Sequence, residues 1–453
     1  MSRVEIGPVA GGVQIDVNVA IQKIGPNLYR DARSCDHNCT SKVGGYDCPA
    51  AFTLNKNIDP KTYASKEKIL TSLDIAVEGV KQANMRFVES GLFDRYCQDN
   101  YVPRDIADAY LRVLRRNKTE INFFGGNSEM HNDIAGMIST IRAKGHIVNL
   151  TTTGRRFIRD PGFTVQIINA HPDLIALSYD FSNPSEITKM GGMDPDRIRA
   201  EWRELMRIHP THGQRQKVFE SAYVAQIAKK IEDFPKVLFN LVLHSGNINQ
   251  AVEIIISLTE AFPGVLVNPY FEQTAFLGKQ SDLSENLDQL NSLVDWSIAE
   301  QLSDDKKTNL VPRLHWWLMI KAAIETYSGN PTKIANAISG KIWRCYQKSG
   351  AGRYFPIGTG IIPYTNTQTP GLRPNCFWNN QTVSDNRRVY EMKPDAIADY
   401  ILYQSGEIAH KSPLPCQGCA FPRLNFDIIS TEIGMDKTIK PTYLKLRREH
   451  MGF

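Results

Sequence analysis

The chain has 453 residues, 42% of them hydrophobic and 22% charged, with a formal net charge of +5. At about 150 residues per domain that length allows two or three domains, or one α/β barrel with a smaller companion, and it can bury a core without staples. The composition excludes disordered, collagen-like and fibrous classes, and so small a basic excess leaves no footprint for nucleic acid, which is not expected as a partner.

No apolar run reaches the roughly 18 residues that a membrane helix needs, so no membrane partner is expected. The opening MSRVEIGPVAGGVQIDVNVA lacks a basic start followed by an apolar block, which makes the cytoplasm the expected location.

Short β-branched and apolar runs alternate with longer amphipathic stretches, the pattern of βα units and a parallel sheet. Strands are predicted at 13–20, 121–124, 147–151, 174–178, 237–243 and 265–267, and helices at 66–88, 105–116, 134–143, 195–208, 215–231 and 248–261. In the helix at 134–143, Asn132 or Asp133 stands ready to cap the start and Gly145 falls where a left-handed C-terminal residue is wanted. The fold class expected is therefore α/β, a complete or partial β6/α6 TIM-like barrel over residues 1–275. Helices at 284–302 and 312–327 predict a helical connection over 276–330. The remainder, 331–453, reads as a small α+β domain: helices at 331–343 and 394–404, a turn-rich Gly/Pro/Asn/Thr region at 350–380 and a Pro-Cys-rich loop at 413–422.

Eight cysteines divide into three early, one isolated and four late. Cys35, Cys39 and Cys48 lie in SCDHNCTSKVGGYDCPAAF, a polar loop after the first predicted strand, where α/β barrels put their chemistry. Three thiolates can hold three irons of a [4Fe-4S] cube and leave the fourth open. Zinc completed by His37 or Asp47 is the alternative reading of the same loop. Cys416 and Cys419, in PLPCQGCAFP, have the spacing with which two thiolates grip one metal, and Cys345 and Cys376 supply two more. Four ligands close that site, as an auxiliary iron-sulfur cluster or as structural zinc. Cys97, on a predicted helix end, reads as a buried thiol.

Further stretches in the same order resemble the radical S-adenosylmethionine superfamily. INFFGGNSEMH at the end of strand two is similar to the Gly-Gly-Glu motif that receives the methionine amino group, LTTTG ends strand three, LIALSYD strand four, LVLHSGN strand five and VNPYF strand six. The family's spacing is departed from in the second cysteine gap, which is six residues longer within 40–47; Tyr46 rather than residue 47 is the aromatic before Cys48; and Asn127 stands where the motif has Glu, with Glu129 two positions on. The late cysteines, with RYFPIGTGIIPYTNTQTPG between them, resemble the SPASM or twitch extensions that carry an auxiliary [4Fe-4S] cluster.

The resemblance implies S-adenosylmethionine on the open iron of the Cys35, Cys39, Cys48 cluster, with Tyr46, Gly125, Gly126, Asn127, Glu129, Thr153, Ser178 and Asn247 around the cofactor. It implies reductive cleavage to a 5′-deoxyadenosyl radical that removes a hydrogen atom from the substrate, and a one-electron donor such as flavodoxin or ferredoxin. Tyr179, Asp180, His244, Tyr270 and Glu272, with Asn268, are the residues expected to face the substrate, and Arg155 and Arg156 to meet an anionic group; the plain alternatives are turn residues at Asn247 and Asn268 and a solvated helix start at the arginines. An auxiliary cluster on Cys345, Cys376, Cys416 and Cys419 implies an oxidative outcome. Only 34 residues precede Cys35, which favours a small molecule over a peptide as substrate. A peptide-modifying maturase and a non-enzymatic zinc-binding adaptor are the alternatives.

Overall fold

The computed structural model describes residues 15–17, 22–23, 29–30, 66–99, 119–123, 128–179, 183–209, 214–271, 286–311, 314–327, 346–348, 354–356, 359–361, 372–374, 392–404 and 440–451, and single positions between 104 and 115. The six segments predicted as strands are β1 (Ile15–Val17), β2 (Glu120–Phe123), β3 (Ile147–Thr152), β4 (Leu174–Tyr179), β5 (Lys236–Leu243) and β6 (Leu266–Phe271). They form one sheet in chain order, and every neighbouring pair is parallel.

Parallel neighbours need long crossovers. The described ones are α1 (Lys66–Glu89) and α2 (Leu92–Asp99) before β2, then α3 (Ile134–Ala143), then α4 (Arg155–Arg159) with α5 (Pro161–Ala170). Next come α6 (Pro184–Gly191), α7 (Pro195–Ile208) and α8 (Gln214–Lys230) before β5, and α9 (Ala251–Ala261) before β6. The strand order never reverses, so right-handed crossovers all lay their helices on the same face. Burial alternates accordingly. Val148, Leu150, Ile175, Leu177, Val237, Phe239, Leu241 and Val267 are closed from solvent, against helix residues such as Ile138, Val224, Ile255 and Leu258 in the same core.

The opposite face is different in kind. Glu120, Asn149, Thr151, Ser178, Asn240 and Asn268 alternate with those core residues and are half-buried, and Asn122 is buried among them. A strand with period two sends its apolar set to one side and these polar residues to the other.

Sequence and structure diverge at several helices. Gly145 has φ +84°, as its C-terminal position required. Asp133 is the N-cap residue of α3, but its side chain makes no cap bond; its own N–H donates to His131 Nδ1 at 3.1 Å. The helices α4, α5 and α6 went unpredicted because each is short and carries Gly or Pro near its start, which reads as loop; the C-terminal helix Lys440–Met451 was likewise missed. The predicted helix at 331–343 and the loop at 413–422 lie outside the described residues.

Two further helices, α10 (Leu287–Leu302) and α11 (Leu314–Tyr327), pack on each other, and the 310–311 stretch returns to the sheet, where Val311 N–H donates to Val267 O at 2.9 Å. The C-terminal part is fastened to the first helix. A Cβ on Gly79 of α1 would stand 2.6 Å from Ile397, on the helix Pro394–Asp399, so only a glycine lets the two backbones approach so closely. Arg86 adds ion pairs to Asp395 and Asp399 there. Among the described residues no helix is long and apolar enough to cross a membrane.

Candidate functional site

The strand ends to which the sequence motifs point meet at one edge of the sheet, after β3, β4 and β5. The chain leaves β3 through Thr152, Thr153 and Gly154. Gly154 has φ +90°, and a Cβ there would stand 2.7 Å from Glu220 O and 2.8 Å from Val224, so the turn requires glycine on both counts. It starts α4 with no side chain of its own to cap it. Glu129, in the 3-10 turn Ser128–Met130, does so from a distance: one carboxylate oxygen accepts from Arg156 N–H at 3.2 Å and the other from the Thr152 hydroxyl, while that hydroxyl also accepts from Gly154 N–H at 2.9 Å.

Glu129 is closed from solvent. Burial pushes its carboxyl up to about 7; the bonds from Thr152 and the Arg156 backbone oppose the shift and the nearby Glu220 carboxyl adds to it. Glu220, on α8, is equally buried and is pushed up to about 8, again by burial first, against the pull of the Arg155 cation. Trp202 Nε1–H donates to it at 3.2 Å. Ser221, its neighbour, reaches Thr153 O at 3.4 Å and Ser178 O at 3.3 Å, so α8 bolts the ends of β3 and β4 together.

This geometry revises the roles expected for Arg155 and Arg156. Neither is a solvated helix start. Arg155 is buried beside Glu220. Arg156 donates through Nη1 to Glu129 O at 2.8 Å and His131 O at 3.0 Å, and lies 4.2 Å over the Phe163 ring. Both serve the helix layer rather than an anion on the polar face.

Tyr179, expected to face the substrate, points into the helix layer, with 1% of its surface exposed and its ring 5.0 Å from Phe239. Burial pushes its phenol above the ordinary range. The cause of the misplacement is strand parity: Tyr179 is two residues from Leu177 and shares its face, whereas Ser178 takes the polar one. Asn247 is closed from solvent and spends its side chain on its own turn, Oδ1 accepting from His244 N–H at 2.9 Å and Nδ2 donating to Val242 O at 2.8 Å. It is a turn residue in this structure. His244, half-buried, accepts at Nδ1 from Gly246 N–H at 3.0 Å, which puts the proton of the neutral ring on Nε2.

Ser178, by contrast, has neighbours of its own kind. It stands in register with Asn240 of β5, and Asn240 with Asn268 of β6. Asn268 Nδ2 donates to Asn240 Oδ1 at 2.9 Å. Nearer the first edge Asn149 Nδ2 donates to Glu120 Oε1 at 2.7 Å. Asn268 was among the expected lining residues and is paired in mid-strand rather than in a turn; Asn240, Glu220 and Trp202 were not named. The signals existed: Asn240 interrupts the apolar run VLFNLVL, and Glu220 interrupts an apolar helix face.

Cys35, Cys39, Cys48, His37, Tyr46, Asp47, Gly125, Gly126, Asn127, Asp180, Glu272, Cys345, Cys376, Cys416 and Cys419 lie outside the described residues. Cys97 falls within α2, and Tyr270 pairs in register with Val242. Among the described residues no group of three or more His, Cys, Asp or Glu side chains is arranged to hold a metal ion. Compared with protein-family models and with curated proteins, the chain finds no match.

Proposed function

We propose that this chain is a radical S-adenosylmethionine enzyme, built on a partial β6/α6 barrel with a SPASM- or twitch-like C-terminal extension, acting on a small molecule in the cytoplasm. One observation carries the reading: the six segments that bear the resemblance are neighbours, in chain order and all parallel, in a single sheet. In the sequence the cysteine loop comes after β1 and the Gly-Gly motif after β2, and Thr152 to Gly154 and Ser178 lie at the ends of β3 and β4, the edge where parallel α/β sheets hold ligands. The one-sided helix layer and the polar opposite face suit a sheet that curls around a reacting centre, with the helices outside.

The donor set fits the cofactor. Cys35, Cys39 and Cys48 would hold three irons and leave one for the methionine end of S-adenosylmethionine, and Cys345, Cys376, Cys416 and Cys419 would hold an auxiliary cluster. When bound, the first cluster supplies an electron that splits the sulfonium and so a radical able to remove a hydrogen atom, the electron arriving from a flavodoxin or ferredoxin. The protein's own work is positional. Glu129, Thr152 and Gly154 hold the β3 turn, Ser221 joins it to β4, and the polar face holds the substrate.

The test is anaerobic purification, iron and sulfide determination, and mass-spectrometric detection of 5′-deoxyadenosine after addition of S-adenosylmethionine and dithionite. Wild type should form it. Replacing Cys35, Cys39 and Cys48 together with Ala should abolish it and leave the metal of the late cysteines in place. Colourless protein carrying two zinc ions, or an unchanged yield from the triple variant, would overturn the reading.

A further inference from the structure

Two consecutive threonines at the end of β3 meet two buried carboxyls that come from different parts of the chain. The Thr152 hydroxyl donates to Glu129, on the turn Ser128–Met130, and Thr153 bonds to Glu220, on α8. Both glutamates are closed from solvent. The Glu220 carboxyl opposes ionisation of Glu129. The other charged groups that face Glu129 among the described residues are the two arginines that open α4. Arg155 is drawn to Glu220, while Arg156 places Nη1 on Glu129 O and His131 O and pairs with Asp160 at 3.8 Å. What α4 offers the Glu129 carboxylate is backbone, the N–H groups of Arg155 and Arg156. On the turn's own side His131 accepts at Nδ1 from Asp133 N–H.

The two carboxyls are unequally anchored. Glu220 arrives on a 17-residue helix whose Val218, Phe219, Ala222, Val224 and Ala225 are buried in the core, and Ser221 ties that helix to β3 and β4. Displacing α8 would return all of that apolar surface to water. Glu129 stands on one short turn whose buried groups are polar. Ser128 Oγ is closed from solvent with no hydrogen-bond partner among the described residues, so opening the turn rehydrates it together with the carboxylate. If a charge on Glu129 is to be relieved, the turn yields and the helix stays.

We propose that Glu129 is a proton-operated latch at the end of β3: protonated, it holds the turn Ser128–Met130 closed against β3 and α4, and ionised, it favours opening of that turn while α8 remains in place. The direction and window follow from burial, which pushes the closed carboxyl up to about 7 from its ordinary 4.5. An opened turn ionises at the ordinary value, so opening becomes easier as pH rises from 4.5 to about 7 and no easier beyond. The inference rests on the reading above only for what this edge of the sheet holds.

The experiment is amide hydrogen exchange of the full-length protein at pH 5, 6, 7 and 8, read on peptides by mass spectrometry. Rates are expressed as protection factors, which removes the intrinsic pH dependence of exchange. Protection over 128–134 should fall at least about tenfold between pH 5 and 7 and then level off. A low concentration of urea should leave that protection unchanged, because a short turn exposes little surface, and should lower the protection of α8 and β5. Glu129→Gln should abolish the pH-dependent fall. Thr152→Val, which removes a bond that favours the carboxylate, should carry the levelling-off to higher pH, and it keeps the test open should Glu129→Gln fail to fold. Protection over 128–134 that is flat between pH 5 and 7, that shares the urea response of β5, that falls equally in Glu129→Gln, or that levels off at the same or lower pH in Thr152→Val would overturn the proposal. No readout uses S-adenosylmethionine, so failure of the latch and failure of the radical chemistry are distinguishable.

Discussion

The two buried carboxyls at the end of β3 make stability depend on pH in a direction opposite to that of surface ion pairs. A carboxyl whose folded-state pKa is raised holds its proton longer in the folded chain than in the unfolded one. The resulting penalty is absent below the unfolded value of 4.5, grows as pH rises through it, and is complete above about 7 for Glu129 and about 8 for Glu220. At about 1.4 kcal/mol per unit, ionising Glu129 costs about 3 kcal/mol of stability, and Glu220 resists further because its burial outweighs the pull of the Arg155 cation and the Trp202 bond. The perturbations are Glu129→Gln and Glu220→Gln, which keep the shape and remove the titration. Urea denaturation at pH 5, 6, 7 and 8, followed by tryptophan emission, gives the stability at each pH. Wild type should lose stability between pH 5 and 8 relative to each variant, by about 3 kcal/mol in the Glu129→Gln comparison. Glu220→Gln should also leave the Trp202 bond intact, since an amide oxygen still accepts from the indole N–H. Parallel pH profiles for wild type and both variants, or a wild type that gains stability relative to them toward pH 8, would show that neither carboxyl is held protonated and refute the reasoning.

Three other outcomes follow from the packing. Gly154→Ala should lower stability by about 2 kcal/mol or more, read as an unfolding temperature, because a φ of +90° is joined to a Cβ contact of 2.7 Å with backbone; a neutral effect would contradict the turn geometry. Gly79→Val should loosen the helix Pro394–Asp399 from α1 by about 1–3 kcal/mol, seen as faster amide exchange over 394–404 with the β5 and β6 amides unchanged; equal exchange at both places would deny that the contact is local. Tyr179→Phe should cost less than about 1.5 kcal/mol and Tyr179→Ala about 3–5 kcal/mol in thermal unfolding, since the ring fills the helix layer against Phe239; a small effect from Ala would put the ring on the other face.

What was legible in the sequence was the part ruled by local periodicity. The run 147–151 differs from β3 by one residue, and the helix 195–208 matches α7 end to end, because an apolar β-branched run and an amphipathic stretch capped by Asp194 each declare themselves within a few residues. That alternation also set the parallel pairing, since strands joined by helices return in the same direction. What only the tertiary structure decided was where polar side chains point and what they meet. Nothing near Glu129 in the chain announces that its carboxylate caps a helix beginning at Arg155, 26 positions later, or that Glu220, 91 positions later, sits against it. Ser178, Asn240 and Asn268 come together only because parallel register aligns three strands separated by helices. A one-residue step in a strand sends Tyr179 into the core and Ser178 to the opposite face, and that parity is settled by which side the helices cover, a property of the whole sheet and not of any segment within it.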